Sequence, residues 1–236
     1  MERMRDTTLL KLPEVFPCRI IKRINRFTVR ISIGRKVTKA SLNNTGRLEE
    51  LLLYNASGYC LRGRGKLPYR LFAISGEKLA SVIDTRMQAE AFEVALARSL
   101  IPIFRSYRLA RRNIRVGSSI IDYKLEGKNE LVVELKSAVL RLNDLGGYPD
   151  CPTERGRRQI EDLINYARSG GNSAIFFVTS LEGVRGITPN ITADPQLYLL
   201  MEKASRAGVR MRGMNILFDP KRRNIILSNP DLPVVF

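Results

Sequence analysis

From Phe27 to Ile33 apolar and polar side chains alternate, with Phe27, Val29, Ile31 and Ile33 set against Thr28, Arg30 and Ser32. Successive side chains on a strand point to opposite faces, so this period predicts a half-buried strand that stops at Gly34. Comparable stretches begin at Ile20-Ile21, breaking near Asn25, and run over Val37–Leu42, Tyr59–Leu61, Tyr69–Ile74 and Leu79–Ile83. After the turn at Asn44-Thr45-Gly46, Leu48, Leu51 and Leu52 predict one or two helical turns. Residues 1–17 read as a lead-in segment, because Pro13 and Pro17 cannot donate to a central ladder. Three strands, a short helix and further strands form the order of a small OB-type barrel.

The period changes at Asp84-Thr85, a favourable N-cap pair. Phe92, Ala95, Leu96 and Ser99 predict the inner face of a helix that Pro102 terminates. Ile120–Lys136 then reads as two strands joined at Gly127-Lys128-Asn129. Ile121, Tyr123 and Leu125 fall on one face with Leu131, Val133 and Leu135, and Asp122, Glu134 and Lys136 fall on the other. A three-residue loop sets Asp122 across from Glu134 with Cβ atoms roughly 5 Å apart. Downstream, Tyr148–Thr153 caps a helix from about Glu154, whose stripe is Ile160, Leu163, Ile164 and Ala167 and whose end is Gly170-Gly171. The continuous apolar run Ala174–Val178 predicts a strand buried on both faces. Asp194-Pro195 opens a last helix, carrying Leu197, Met201 and Ala204 and closed by Gly208; strands over Val209–Phe218 and Ile225–Leu227 and a Pro-rich surface tail follow. The expected architecture is mixed: an OB-like β-barrel over residues 1–84, then an α/β domain over residues 85–236 with helices on its sheet.

Composition narrows the chemistry. The chain has 236 residues, 44% of them apolar, which is enough for two cores. No apolar run approaches the ~20 residues of a membrane span, and Met1–Asp6 lacks a signal-peptide core. A soluble cytoplasmic protein with no membrane partner is expected. Forty Lys and Arg against 23 Asp and Glu leave a net charge of +17. A polyanionic partner follows, DNA first and RNA as an alternative, because cations gain affinity for phosphates by releasing counterions. Tyr59, Tyr69 and Phe72 could stack on single-stranded bases. There is no histidine, which excludes Ser-His-Asp and Cys-His catalysis and His-ligated zinc. Cys18, Cys60 and Cys151 form no Cys-x-x-Cys pair and suggest no disulfide framework. Hydrolysis would therefore need carboxylates, lysine or an oxygen-bound metal, Mg2+ or Mn2+.

Asp122, Glu134 and Lys136 have the form Asp…(Asp/Glu)-x-Lys. Two readings stay open. In one, the carboxylates hold a divalent metal and Lys136 orients water or stabilises developing charge. In the other, the three side chains are a solvated face in which Lys136 pairs with Asp122 or Glu134. Glu90 and Glu93, on the preceding helix, are candidate extra ligands, or simply exposed helical carboxylates. Candidate phosphate contacts are Arg62, Arg64 and Lys66 in one turn, Arg111 and Arg112 in the arginine-rich Arg105–Arg115 stretch, and Arg155, Arg157 and Arg158 at a helix start. Three arginines oppose the positive end of that helix dipole, so they either serve an external anion or pair with Glu154, Glu161 and Asp162.

Several segments resemble the sugar fermentation stimulation protein A family: Asn25-Arg26-Phe27, Asn44-Thr45-Gly46-Arg47-Leu48, Asp84-Thr85, Asp122-Tyr123, Val133–Ser137, Tyr148-Pro149-Asp150, Thr153–Gly156, Asp194-Pro195 and Ala207-Gly208-Val209. Their order spans residues 25–210. The resemblance implies an OB-type domain followed by a restriction-endonuclease-like domain similar to PD-(D/E)XK nucleases. It also implies DNA binding and, through the family's name, a link to sugar metabolism. It sets Asp122, Glu134 and Lys136 in the nuclease-like motif and Asn44, Arg47, Asp150, Arg155 and Gly156 in other family signatures, with Asn44 and Arg47 as further expected nucleic-acid contacts. The family pattern has histidine where this chain has Gln159, and Ser119-Ile120 replaces a Ser-Arg pair. The implied function is a DNA-binding protein with a Mg2+-dependent endo- or exonuclease centre. The alternatives are a non-catalytic DNA-binding regulator of sugar metabolism and an RNA- or single-strand-binding protein. The sequence admits a homodimer without requiring one.

Overall fold

The computed structural model describes residues 7–236; the leading Met1–Asp6 segment, read above as lacking a signal peptide, lies outside the described residues. In chain order the elements are β1 (Thr7–Lys11), β2 (Phe16–Asn25), β3 (Thr28–Ile33), β4 (Lys36–Leu42), β5 (Ser57–Arg62), β6 (Tyr69–Ser75), β7 (Ala80–Val82) and α1 (Thr85–Ala97). A 3-10 turn at Pro102–Phe104 precedes β8 (Arg108–Val116), β9 (Ser119–Glu126), β10 (Glu130–Ser137), β11 (Leu140–Leu142) and β12 (Leu145–Tyr148). Then come α2 (Glu154–Arg168), β13 (Ser173–Thr179), β14 (Gly186–Pro189), α3 (Pro195–Arg206), β15 (Arg210–Asp219) and β16 (Asn224–Leu232). The residues cluster into two compact units. One holds the described residues through Ala91 with Ser180–Gly183 and Ile216–Ser228, and the other holds Phe92–Thr179, Val184–Asn215 and Asn229–Phe236.

In the first unit five strands close on themselves in the order β4-β3-β2-β5-β6, with β4 returning to pair in parallel with β6 through Ala40 and Tyr69. That closure is the predicted OB-like barrel. Its interior is filled by Ile20, Val29, Ile31, Ala40, Cys60 and Leu71, all fully buried and all on the inward period of their strands. Two expectations change here. The lead-in segment contains a strand, β1, which pairs with β16 from Thr7–Leu227 to Lys11–Asn224. Pro17 sits inside β2 but opposite Tyr59 of β5, before β3 joins at Arg19, so its missing N–H leaves no gap on that side. Of the one or two turns expected at Leu48–Leu52 there is one, in which Leu51 and Leu52 N–H donate to the Leu48 carbonyl; Leu48 has φ of 53°.

In the second unit a mixed sheet runs β8-β9-β10-β13-β15, antiparallel on the β8 side and parallel from β10 onward. Both faces are covered. Phe176 meets Phe92 and Phe104 on one face, while Phe177 meets Tyr148 on the other. This explains why Ser173–Thr179 is buried throughout. A small sheet, β11-β12-β14, stands apart. The helix after Asp84 stops at Ala97 rather than at Pro102: Ser99 has a positive φ of 54° and is exposed, so it leaves the expected inner face. Pro102 instead opens the 3-10 turn, a position its ring suits. The tail is also more ordered than its prolines suggest, since β16 reaches Leu232, which is fully buried.

Candidate active site

β9 and β10 form the predicted hairpin around residues 127–129, paired from Glu126–Glu130 to Tyr123–Val133. The ladder stops there. Asp122 N–H donates to Glu134 Oε2 at 3.2 Å, and Leu135 N–H donates to Asp122 Oδ2 at 2.8 Å. Each carboxylate thus takes the place of a ladder carbonyl at the point where β10 turns to pair with β13. Alternation sends Asp122, Glu134 and Lys136 to one face, as expected, but that face is not solvated. Glu134 is 3% exposed and Lys136 8%, while Leu135 on the other face is half-buried. Phe177 and Tyr148 lie on the charged side, because Lys136 pairs with Phe177 and has Nζ 6.0 Å from the Tyr148 ring.

Lys136 Nζ donates to Glu134 Oε1 at 2.8 Å and to Gln159 Oε1 at 2.7 Å. Gln159 sits on α2 and its Nε2 donates to the Ile120 carbonyl at 3.2 Å, tying the helix to β9. Burial pushes the Asp122 and Glu134 carboxyls above the ordinary carboxylate range, despite the ammonium of Lys136 nearby and, for Asp122, the Arg155 guanidinium. Burial works to lower Lys136, but Tyr148, Glu134 and Asp122 outweigh it and hold it above the ordinary lysine value.

Gln159 and Tyr148 are the members of the cluster that sequence reasoning did not place in the site. A signal existed for Gln159. It is the one polar side chain on the buried stripe Gly156, Gln159, Ile160, Leu163 and Ile164 of α2, and buried polar groups on an apolar stripe are there for a partner. Gly156 also has a physical cause. A Cβ there would stand 2.8 Å from the Tyr148 hydroxyl and 2.7 Å from Thr153 Cγ2.

Other expected residues are placed differently. Glu93 does not join the carboxylate pair. It accepts from Arg112 Nε at 2.8 Å and Nη2 at 2.6 Å, and from the Tyr123 hydroxyl at 3.1 Å. Tyr123 leaves the sheet on the face opposite Asp122, so the strand's period keeps Glu93 away. Among the described residues no group of three or more acidic or cysteine side chains could hold a metal. Glu90 is exposed. Arg112 is engaged by Glu93, and Arg157 by the buried Asp194 at 2.7 Å. Asp194 also accepts from Thr153 and Leu197 N–H, and these donors with Arg157 outweigh burial and lower its carboxyl. Asn44 is buried and turned inward, donating to the Ile83 carbonyl and accepting from Gly46 N–H, so its amide is spent on the loop. Arg47, Arg64, Lys66, Arg111, Arg155 and Arg158 are exposed. Arg62 stacks on Phe16, 4.8 Å from the ring centre. The arginine-rich stretch is mostly β8, an edge strand, where charge discourages a further strand from adding.

Residues 86–222 match the family described as Sugar fermentation stimulation protein RE domain, and residues 21–82 match the one described as SfsA N-terminal OB domain. A sugar fermentation stimulation protein homolog of Archaeoglobus fulgidus is 40% identical over 228 residues, covering 96% of this chain and 99% of that protein. One of Pyrococcus furiosus is 38% identical over 210 residues, covering 88% and 91%. The structure of Pyrococcus furiosus SfsA in complex with Ca2+ superposes with a TM-score of 0.93 at 35% identity, covering 98% of this chain and all of that one. The fold is accordingly an OB-like barrel plus an α/β restriction-endonuclease-like unit with a mixed sheet. No helix among the described residues is long and apolar enough to cross a membrane.

Proposed function

This chain belongs to the sugar fermentation stimulation protein family, and on that premise we propose that it binds nucleic acid and carries a divalent-metal-dependent phosphodiesterase centre at Asp122, Glu134 and Lys136. Within this proposal residues 1–84 are a nucleic-acid-binding barrel domain and residues 85–236 the nuclease-like domain. The observation that carries it is the burial of Glu134 and Lys136 beside Asp122, where the β9–β10 ladder gives way to carboxylate bonds. Removing charges from water costs more than their attraction commonly returns, so apolar residues would make a better structural core here.

Ionised, the two neighbouring carboxylates of Asp122 and Glu134 offer only oxygen ligands, the set that Mg2+ or Mn2+ prefers. The donors therefore fit such a cation. Asp122 and Glu134 would hold it, and when bound it would polarise a phosphoryl oxygen and lower the pKa of a coordinated water. The relative solved with Ca2+ supports cation binding within the family. Lys136 supplies a fixed positive charge toward a phosphodiester, and Gln159 and Glu134 hold its ammonium in place. The exposed Arg155, whose charge reaches Asp122, is suited to a flanking phosphate. The net charge of +17 and the lack of a base-reading motif favour backbone contacts, with DNA as substrate and RNA as the second choice.

The test incubates labelled single- and double-stranded DNA with the protein in Mg2+, Mn2+ or EDTA, alongside Lys136→Ala and Asp122→Asn. Metal-dependent cleavage lost in both variants, with DNA binding retained, is expected. DNA left intact by the wild type under every metal condition would reduce the protein to a binding module.

A further inference from the structure

The outer wall of the barrel carries a second feature that the carboxylate site does not use. Between Phe16 and Leu42 the chain has eight Lys and Arg and no Asp or Glu. Strand register concentrates this charge. Lys22 on β2 pairs with Arg30 on β3, and Arg30 pairs with Lys39 on β4. Paired residues of antiparallel strands put their side chains on the same face, so three cations form one row across three neighbouring strands. Adjacent strands lie about 4.8 Å apart, and the row spans roughly 10 Å. All three side chains are exposed, and among the described residues none of them meets an acceptor.

Like charges placed directly opposite one another destabilise a strand pair, and here the penalty is taken twice in succession. A solubility device would not need this register, since staggered cations serve equally well. Val37 shares the row's face, and Phe27 stands at the end of the same β2–β3 hairpin. Phe27, at the β2–β3 turn and three residues from Arg30, is 59% exposed, and Val37, two residues from Lys39, is also 59% exposed. Cations in a line, with an exposed aromatic ring at the turn of the same hairpin, suit a strand of phosphates whose bases can stack. A lipid surface would call for a broader apolar face than these two side chains offer.

We propose that Lys22, Arg30 and Lys39, with Phe27, form a single-stranded nucleic-acid track on the outer face of the barrel, separate from the carboxylate site. The inference shares with the proposed function only the premise that the ligand is nucleic acid. It does not need the carboxylate site to cut.

The full chain is titrated in EDTA, where no cleavage can occur, against a fluorescent single-stranded 20-mer and a duplex of equal length over a range of salt. Variants are Lys22→Ala/Arg30→Ala/Lys39→Ala and Phe27→Ala, with thermal unfolding recorded for each. The triple variant should bind the single strand at least tenfold more weakly and flatten the slope of log affinity against log salt by about 2, three phosphates at roughly 0.7 each. Its melting temperature should hold or rise, because repulsion is relieved. Phe27→Ala should weaken single-strand binding and leave the salt slope unchanged. Unaltered affinity and slope in the triple variant overturn the track. Row-dependent binding to phosphatidylserine vesicles without binding to the oligonucleotide overturns it in favour of a membrane surface. Cleavage that persists in the triple variant bears on the carboxylate site alone, so the two proposals fail separately.

Discussion

Gln159→Leu isolates the contact that seats Lys136. The substitution keeps side-chain bulk but removes both the acceptor for Nζ at 2.7 Å and the donor to the Ile120 carbonyl. A hydrogen bond to a charged group contributes about 1.5–3 kcal/mol. The loss at Ile120 adds little, because that residue is 42% exposed and water can replace the amide. The expected cost is therefore about 2 kcal/mol, or roughly 4–8 °C in melting temperature for a chain of this size. The assay is a double-mutant cycle by urea unfolding, combining Gln159→Leu with Lys136→Met. If the bond exists as described, most of the Gln159→Leu cost vanishes in the Lys136→Met background and the coupling is about 1.5–2 kcal/mol. Gln159→His, which keeps a possible acceptor for Nζ, should recover part of the loss. A coupling below about 0.5 kcal/mol, the ordinary scatter of independent sites, would refute the seating role.

Three other outcomes follow from the geometry. Asp194→Ala, which removes a buried carboxylate from Thr153 N–H, Leu197 N–H and Arg157, should cost about 3 kcal/mol in urea unfolding. Because the Asp194 carboxyl is lowered on folding, its contribution is complete above about pH 4 and disappears as pH falls through the depressed folded value. Wild type and Asp194→Asn should therefore converge in melting temperature in acid; a constant gap would contradict this. Gly156→Ala should destabilise by about 1–3 kcal/mol through overpacking against Tyr148 and Thr153, although alanine is intrinsically favoured over glycine in a helix by about 1 kcal/mol; a rise in melting temperature would show that the hydroxyl moves aside freely. Calorimetric titration with Mn2+ should find Glu93→Gln within about twofold of wild type, because a factor of two is only about 0.4 kcal/mol, whereas Asp122→Asn should abolish binding. Loss of Mn2+ binding in Glu93→Gln would return that residue to the site.

The sequence determined what rests on neighbours in the chain. The hairpin turn at 127–129, the shared face of Asp122, Glu134 and Lys136, the caps at Thr153 and Asp194 and the five barrel strands follow from periods of two and 3.6 and from local turn chemistry. Those signals survive folding because each is fixed within a few residues. The absence of histidine likewise limited the chemistry before any contact was known. Tertiary structure decided what lies on top of each face. Alternation could not say whether the charged face met water or a second layer; α2 and Tyr148 cover it, burying Glu134 and Lys136 and leaving Asp122 half-buried. It likewise moved Glu93 to the far side of the sheet, turned the Asn44 amide inward and brought in Gln159 from 23 residues beyond Lys136. It also set Lys22, Arg30 and Lys39 in one row, which no spacing within a single strand could reveal. The reason is common to all of these. Which side chains meet across elements depends on strand register and layer packing between distant segments, and the local period of a chain carries no record of its distant partners.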